Sequence, residues 1–141
     1  MGLSLVTLTA ESPLPIPQID DENRAFWTGG ADGELRFERC NACGYYLHPP
    51  SPRCPQCWSD DIAPSAVSGR GTVYTYTINR QQWTPDLEVP FVLAVVELSE
   101  QPGLRLIARV VDCEAPTIGM AVDVAFEARG DAFIPFFRPA S

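Results

Sequence analysis

Cys40, Cys43, Cys54 and Cys57 form two C-x-x-C pairs, C-N-A-C-G and C-P-Q-C, separated by a ten-residue gap that contains Pro49, Pro50 and Pro52. A C-x-x-C segment folds into a tight knuckle that aims both sulfurs at one point, and Gly44 suits the positive φ such knuckles often require. Two knuckles supply four thiolates at the corners of a tetrahedron, the donor set of a structural Zn²⁺ site. The gap is shorter than the roughly 15–20 residues common between such pairs, but it can hold one tight hairpin. Two disulfides, or a redox or iron site, are the alternatives to one structural zinc ion. With every coordination position taken by sulfur, a zinc ion here has no water to activate. It would hold fold together, and any catalysis would have to come from elsewhere.

Few other residues offer chemistry. His48 is the only histidine; it could replace a cysteine as ligand but reads as a surface or packing residue beside four thiolates. A single histidine with no serine motif gives a Ser-His-Asp or Cys-His arrangement little support. Cys113, in R-V-V-D-C, reads as a structural thiol rather than a nucleophile. Glu97, Asp112 and Asp123 show no pairing that calls for acid/base work. All ten basic residues are arginine, which removes Schiff-base and lysine-nucleophile chemistry; the bias fits a GC-rich genome.

At 141 residues and 45% hydrophobic content the chain is one ordinary domain, or two small modules with a shared stability. A formal charge of −8 and a pI near 4.5 argue against a general nucleic-acid binder. Residues 1–10 are mildly apolar, lack a basic n-region and are too short to span a bilayer. Val6 stands where a myristoylation signal needs Ser or Thr. Cytoplasm is the default expectation, and reduced, metal-bound cysteines fit it.

The pattern divides the chain into three parts and makes it mainly β. Residues 1–34 form an N-terminal arm. Its Pro13, Pro15 and Pro17 favour extended backbone. D-D-E-N-R-A-F-W-T then reads as a short helix capped by Asp20, with Asp21 and Glu22 in its first turn and Gly29 and Gly30 ending it. The arm can bury little of Phe26 and Trp27, which must pack on the rest of the chain or on another protein. Residues 35–66 form a zinc ribbon, with E-L-R-F-E-R-C as a strand that puts Leu35 and Phe37 on one face and Y-Y-L-H-P-P as the middle strand. Residues 67–141 alternate as five strands, from G-R-G-T-V-Y-T-Y-T-I-N-R to F-I-P-F-F-R, with a turn at 115–120. They suggest a five-stranded oligonucleotide/oligosaccharide-binding (OB) barrel, whose closure removes exposed apolar edges.

With knuckles placed before such a barrel, the chain resembles the DUF35 family: a helical arm, a rubredoxin-like zinc ribbon, then an OB-fold. The resemblance is carried by C-N-A-C-G-Y-Y-L-H-P-P-S-P-R-C-P-Q-C and S-G-R-G-T-V-Y-T-Y-T. It continues through V-P-F-V-L-A-V-V-E-L, the I-G-M of 118–120 and I-P-F-F-R-P, and covers about residues 20–139. It implies an acyl-CoA-associated accessory protein, not catalytic alone. Such a subunit partners a thiolase-like condensing enzyme, a retro-aldolase of steroid side-chain degradation, or a MaoC-like enoyl-CoA hydratase, and helps hold or channel the acyl-CoA thioester. The family has no agreed catalytic residues to carry over; only the four cysteines transfer.

Phe26, Trp27, Arg80 and Trp83 are the candidate contacts with a partner or with CoA. Trp83 sits at the tip of the loop N-R-Q-Q-W-T-P-D-L-E-V-P, either as an interface anchor or folded over one end of the barrel. Arg70, Arg80, Arg105 and Arg109 can meet CoA phosphates or be ordinary strand-surface charge. The alternative function is a single-stranded nucleic-acid module, for which Tyr74, Tyr76 and Phe91 would supply stacking. The net charge, with six arginines in the barrel segment, makes a poor groove for it. A stand-alone enzyme or lipid carrier using a barrel cavity is a third option that no sequence feature singles out.

Overall fold

The computed structural model describes residues 14–140; the expectations for residues 1–10 and for Pro13 lie outside that range. Asp20 Oδ1 accepts from the backbone N–H groups of Glu22 and Asn23, both at 2.9 Å. It therefore caps the turn ahead of the helix, and Asn23 takes the N-cap position of α1 (Arg24–Thr28). Gly29 is the C-cap of α1, so the glycines end the α-helix as expected. They begin a 3₁₀ turn, Gly29–Asp32, and Gly33 closes it at φ 71°, a left-handed conformation that glycine adopts without a Cβ clash.

Three strands make the ribbon: β1 (Leu35–Cys40), β2 (Tyr46–Leu47) and β3 (Ile62–Val67). Their order is β2-β1-β3, so β1, not the Y-Y-L segment, is the middle strand. Only two residues of that segment pair with β1 before the prolines intervene. β3 was not expected from the sequence. It runs antiparallel to β1 over six residue pairs and carries Pro64, which an edge strand tolerates because one side of it needs no hydrogen bonds.

The remaining strands close a barrel in the order β4-β5-β6-β8-β7. They are β4 (Arg70–Asn79), β5 (Phe91–Leu98), β6 (Arg105–Val110), β7 (Ala121–Arg129) and β8 (Ala132–Pro139). A bulge between Val73 and Thr75 leaves Tyr74 out of the β4–β5 ladder, the usual way a strand re-aims one side chain. The β6–β7 connection holds the expected turn, with Met120 N–H donating to Thr117 O at 2.9 Å. Among the described residues no helix is long and apolar enough to cross a membrane.

One apolar core joins ribbon to barrel. Leu35 and Phe37 of β1 and Tyr46 of β2 are buried with Val73, Val96, Val122, Val124 and Phe126 of the barrel. Phe26 of α1 stacks on Phe37 at 5.9 Å and on His48 at 5.2 Å, and Trp27 meets the Phe26 ring edge-on at 4.8 Å. The aromatic pair of the arm thus packs on its own chain. Of the two readings of His48, surface or packing, it is the packing one that holds, and burial lowers its pKa because the charged form loses solvent.

Two close contacts hold the parts in register. A Cβ on Gly30 would lie 2.4 Å from Phe133 Cβ and 2.7 Å from a ring carbon of Phe126, so only glycine lets the arm lie flat on the barrel. Gln101, on the β5–β6 turn, reaches the edge of β2. Its Oε1 accepts from Tyr46 N–H at 2.9 Å and its Nε2 donates to Tyr46 O at 3.0 Å, so its amide stands in for a missing neighbouring strand. Gly30→Ala must push the two phenylalanines aside and is expected to lose about 1–3 kcal/mol of stability. Gln101→Met strands a buried N–H and C=O and is expected to lose about 1–3 kcal/mol. Denaturant titration of each variant measures both, and an unchanged midpoint would refute the corresponding contact.

Candidate functional site

The two knuckles repeat one backbone design. Cys40 N–H donates to Tyr45 O and Gly44 N–H to Cys40 O. Cys54 N–H donates to Ser59 O and Trp58 N–H to Cys54 O, all at 2.8–2.9 Å. The four sulfurs lie within 4.8 Å of one another, with Cys40 to Cys57 and Cys43 to Cys54 each at 3.6 Å. A disulfide needs about 2.05 Å, and all four cysteines are free thiols. A tetrahedral site with metal–sulfur bonds of about 2.3 Å puts its sulfurs roughly 3.8 Å apart, so the cluster fits a metal ion of that kind. His48 is not one of the converging donors.

The site's electrostatics fit as well. The N–H of Cys43 favours the Cys40 thiolate, helped by that of Ala42, and outweighs desolvation to bring this thiol down to about 7. Tyr45 N–H favours the Cys43 thiolate, but desolvation and the sulfurs of Cys54, Cys57 and Cys40 outweigh it and push that thiol up to about 12. A dication at the centre would remove this conflict and hold all four as thiolates. Cys40 and Cys54 are buried with Leu47 in a small core of their own, which ties the cluster to the ribbon strands.

A second feature lies between arm, ribbon and barrel: an open cleft of about 730 Å³. Phe26, Trp27 and Phe37 line one side, and Leu93, Ile107 and Ile134 of the barrel's outer face line the other. A groove of about 860 Å³ lies beyond it, lined by Arg80, Phe91 and Cys113 among others, and Arg109 borders both. The expected contact residues are therefore not gathered at one place. Phe26 and Trp27 face the cleft and Arg80 the groove. Trp83 stands 71% exposed on the β4–β5 loop, its Nε1 donating to Asn79 Oδ1 at 3.2 Å, and is not folded over the barrel.

The arginines and aromatics do not form a stacking groove. Arg105 pairs with Glu97 at 3.3 Å and lies over the Tyr74 ring at 3.8 Å. Arg109 pairs with Glu127 at 3.0 Å. Tyr76 packs against the apolar core.

Two features escaped the sequence reading. Glu127 is the one buried charged side chain among the described residues, at 6% exposure, held by Arg109 and by Arg129, whose Nη2 lies at 2.7 Å. Strand alternation puts it opposite Val124 and Phe126, on the outer face of the barrel, and the arm reaches that face: Arg129 Nη1 donates to Pro15 O at 3.2 Å. Trp58 occupies the position in the second knuckle that Gly44 has in the first. It has φ 67° and is 71% exposed, and Arg53 Nη1 donates to its carbonyl at 3.0 Å. The C-P-Q-C-W spacing was the available signal, since the first knuckle places a glycine there.

Comparison with known proteins bears on both halves. Residues 27–63 match the family model of the ChsH2 rubredoxin-like zinc ribbon domain, and residues 65–127 that of the ChsH2 C-terminal OB-fold domain. The chain is 38% identical over 130 residues to a "probable enoyl-CoA hydratase alpha subunit" of Thermomonospora curvata, covering 89% of this chain and 40% of that protein. It is 36% identical over 115 residues to the 3-oxo-4,17-pregnadiene-20-carboxyl-CoA hydratase alpha subunit of Mycobacterium tuberculosis, covering 78% of this chain and 35% of that one. The chain thus spans well under half the length of these two relatives. Among solved structures, a chain of the Ltp2-ChsH2(DUF35) aldolase superposes with a TM-score of 0.77 at 38% identity, covering 89% of this chain and all of that one. Ribbon, barrel and sequence agree: the chain belongs to the DUF35 family.

Proposed function

We propose that the chain is a non-catalytic accessory subunit that binds an acyl-CoA enzyme of the enoyl-CoA hydratase, thiolase or aldolase type and helps hold its acyl-CoA thioester. The observation that carries this reading is the 38% identity to the DUF35 chain of an aldolase over that chain's whole length. Resemblance to alpha subunits of two hydratases supports it, and one of these names a steroid-like acyl-CoA. Among the described residues the cleft gathers no nucleophile–base pair, and in this reading the chemistry falls to the partner. Phe26, Trp27, Arg80 and Trp83 are the proposed contacts, and the working division is arm 1–34, zinc ribbon 35–66, barrel 67–141. Cys40, Cys43, Cys54 and Cys57 hold one structural zinc ion that fixes the ribbon between arm and barrel.

Metal analysis of the purified chain is expected to return about one zinc per molecule, as a four-thiolate site requires. A strong chelator is expected to lower its melting temperature, because metal binding is linked to folding. Absence of metal, or iron in its place, would refute the zinc assignment. Co-expression with a hydratase-like or thiolase-like enzyme from the same source should yield a hetero-oligomer, with turnover belonging to the complex and none to the chain alone. Trp83→Ala should weaken that association by about 2 kcal/mol if the exposed indole is an anchor. A free monomer beside an unaffected enzyme would defeat the accessory reading.

A further inference from the structure

The Glu127 cluster carries more positive charge than it neutralises. Arg129 forks onto Glu127 through Nε at 3.1 Å and Nη2 at 2.7 Å, and its Nη1 goes to Pro15 O. Arg109 reaches the same carboxylate through Nη2 alone, at 3.0 Å. Its Nε and Nη1 donate to nothing among the described residues. Two guanidinium groups on one carboxylate leave one net positive charge. The side chain that carries the free donors is 32% exposed and borders the 730 Å³ cleft. A half-buried guanidinium with free donors beside apolar walls favours an anion, since each charge-assisted bond replaces poor solvation.

The rest of the cleft limits what that anion can be. Arg36 is held by Asp32 and Glu34, and Arg105 by Glu97. Glu22 and Glu38 also line the cleft, and burial raises the Glu38 pKa. Beyond Arg109 the groove offers Arg80 against Glu88, Asp112 and Glu114. A second or third phosphate would meet carboxylates on either side. The walls that remain are apolar, formed by Phe26, Trp27, Leu93, Ile107 and Ile134, and the volume lies within the range of about 300–1,000 Å³ typical of small-molecule sites.

We infer that the cleft is a binding site for an apolar monocarboxylic acid, with Arg109 seating the carboxylate and Glu127 and Arg129 positioning Arg109. The cleft shares Phe26 and Trp27 with the contacts proposed above, but its test uses the purified chain without a partner enzyme, so its failure is distinguishable from failure of the accessory reading. Calorimetric titration of the purified, metal-loaded chain with decanoate, decan-1-ol and decanoyl-CoA reads it directly. Decanoate is expected to bind about tenfold or more tightly than decan-1-ol, the scale of a charge-assisted pair. Arg109→Met should erase that preference, while Arg109→Lys should keep part of it. The comparison of acid with alcohol on the unmodified chain stands even if a variant fails to fold. Equal affinity for acid and alcohol, no binding of decanoate, or tighter binding of decanoyl-CoA than of decanoate would each overturn the inference.

Discussion

Closure of the barrel is the constraint on which the other contacts depend. Once β4 pairs with β7, and β6 meets β8 through Val110 and Phe137, the sheet has no free edge to extend. Ribbon and arm cannot join it by adding strands. They are attached through side chains instead, and each attachment is specific. β1 sends Leu35 and Phe37 into the shared core. Gln101 supplies from the barrel the amide that β2 would have found in a neighbouring strand. Gly30 gives up its side chain so that the arm can touch Phe126 and Phe133.

The same constraint explains why a cleft exists. The arm and ribbon cover part of the barrel's outer surface, burying Glu127 and drawing Arg129 onto Pro15. They leave uncovered the outward residues of β5 and β6, such as Leu93 and Ile107. That face of an OB barrel is where such folds bind ligands. Here it carries aliphatic groups and paired arginines rather than exposed aromatics beside free cations. Such a surface suits an apolar guest far better than a polyphosphate backbone, which needs positive charge along its length.

What could be read from the sequence followed from how local the physical signal was. The knuckles were legible because four sulfurs at fixed short spacing converge by local geometry alone. The barrel strands were legible because each alternates over six or more residues. β3 was not, because Pro64 argues against a strand unless the strand is known to lie at an edge. The order of the ribbon was misread for a related reason: Tyr46 and Leu47 look like a strand, but nothing local says which neighbour lies between which. Glu127 failed differently. Alternation alone puts it on the outer face, and only tertiary structure reveals that this face is covered. Trp58 sits at a backbone position its own type disfavours, a strain of about 1–3 kcal/mol that surrounding structure must offset.

The tetrathiolate cluster and the barrel therefore divide their roles. A metal held by all four sulfurs would keep no open position for substrate, so the cluster's effect would be mechanical. It fixes the end of β1, and β1 is the strand that connects to everything else: to β2 and β3 by hydrogen bonds, to the barrel by Leu35 and Phe37, and to the arm by the stacking of Phe26 on Phe37. A chain held this way presents its exposed Trp58 and Trp83, its cleft and its arm in one fixed relation. Rigidity of that kind lowers the entropy lost when a surface docks. In the accessory role proposed above, that rigidity is what the chain would contribute: surfaces held where a partner can dock on them without first ordering them.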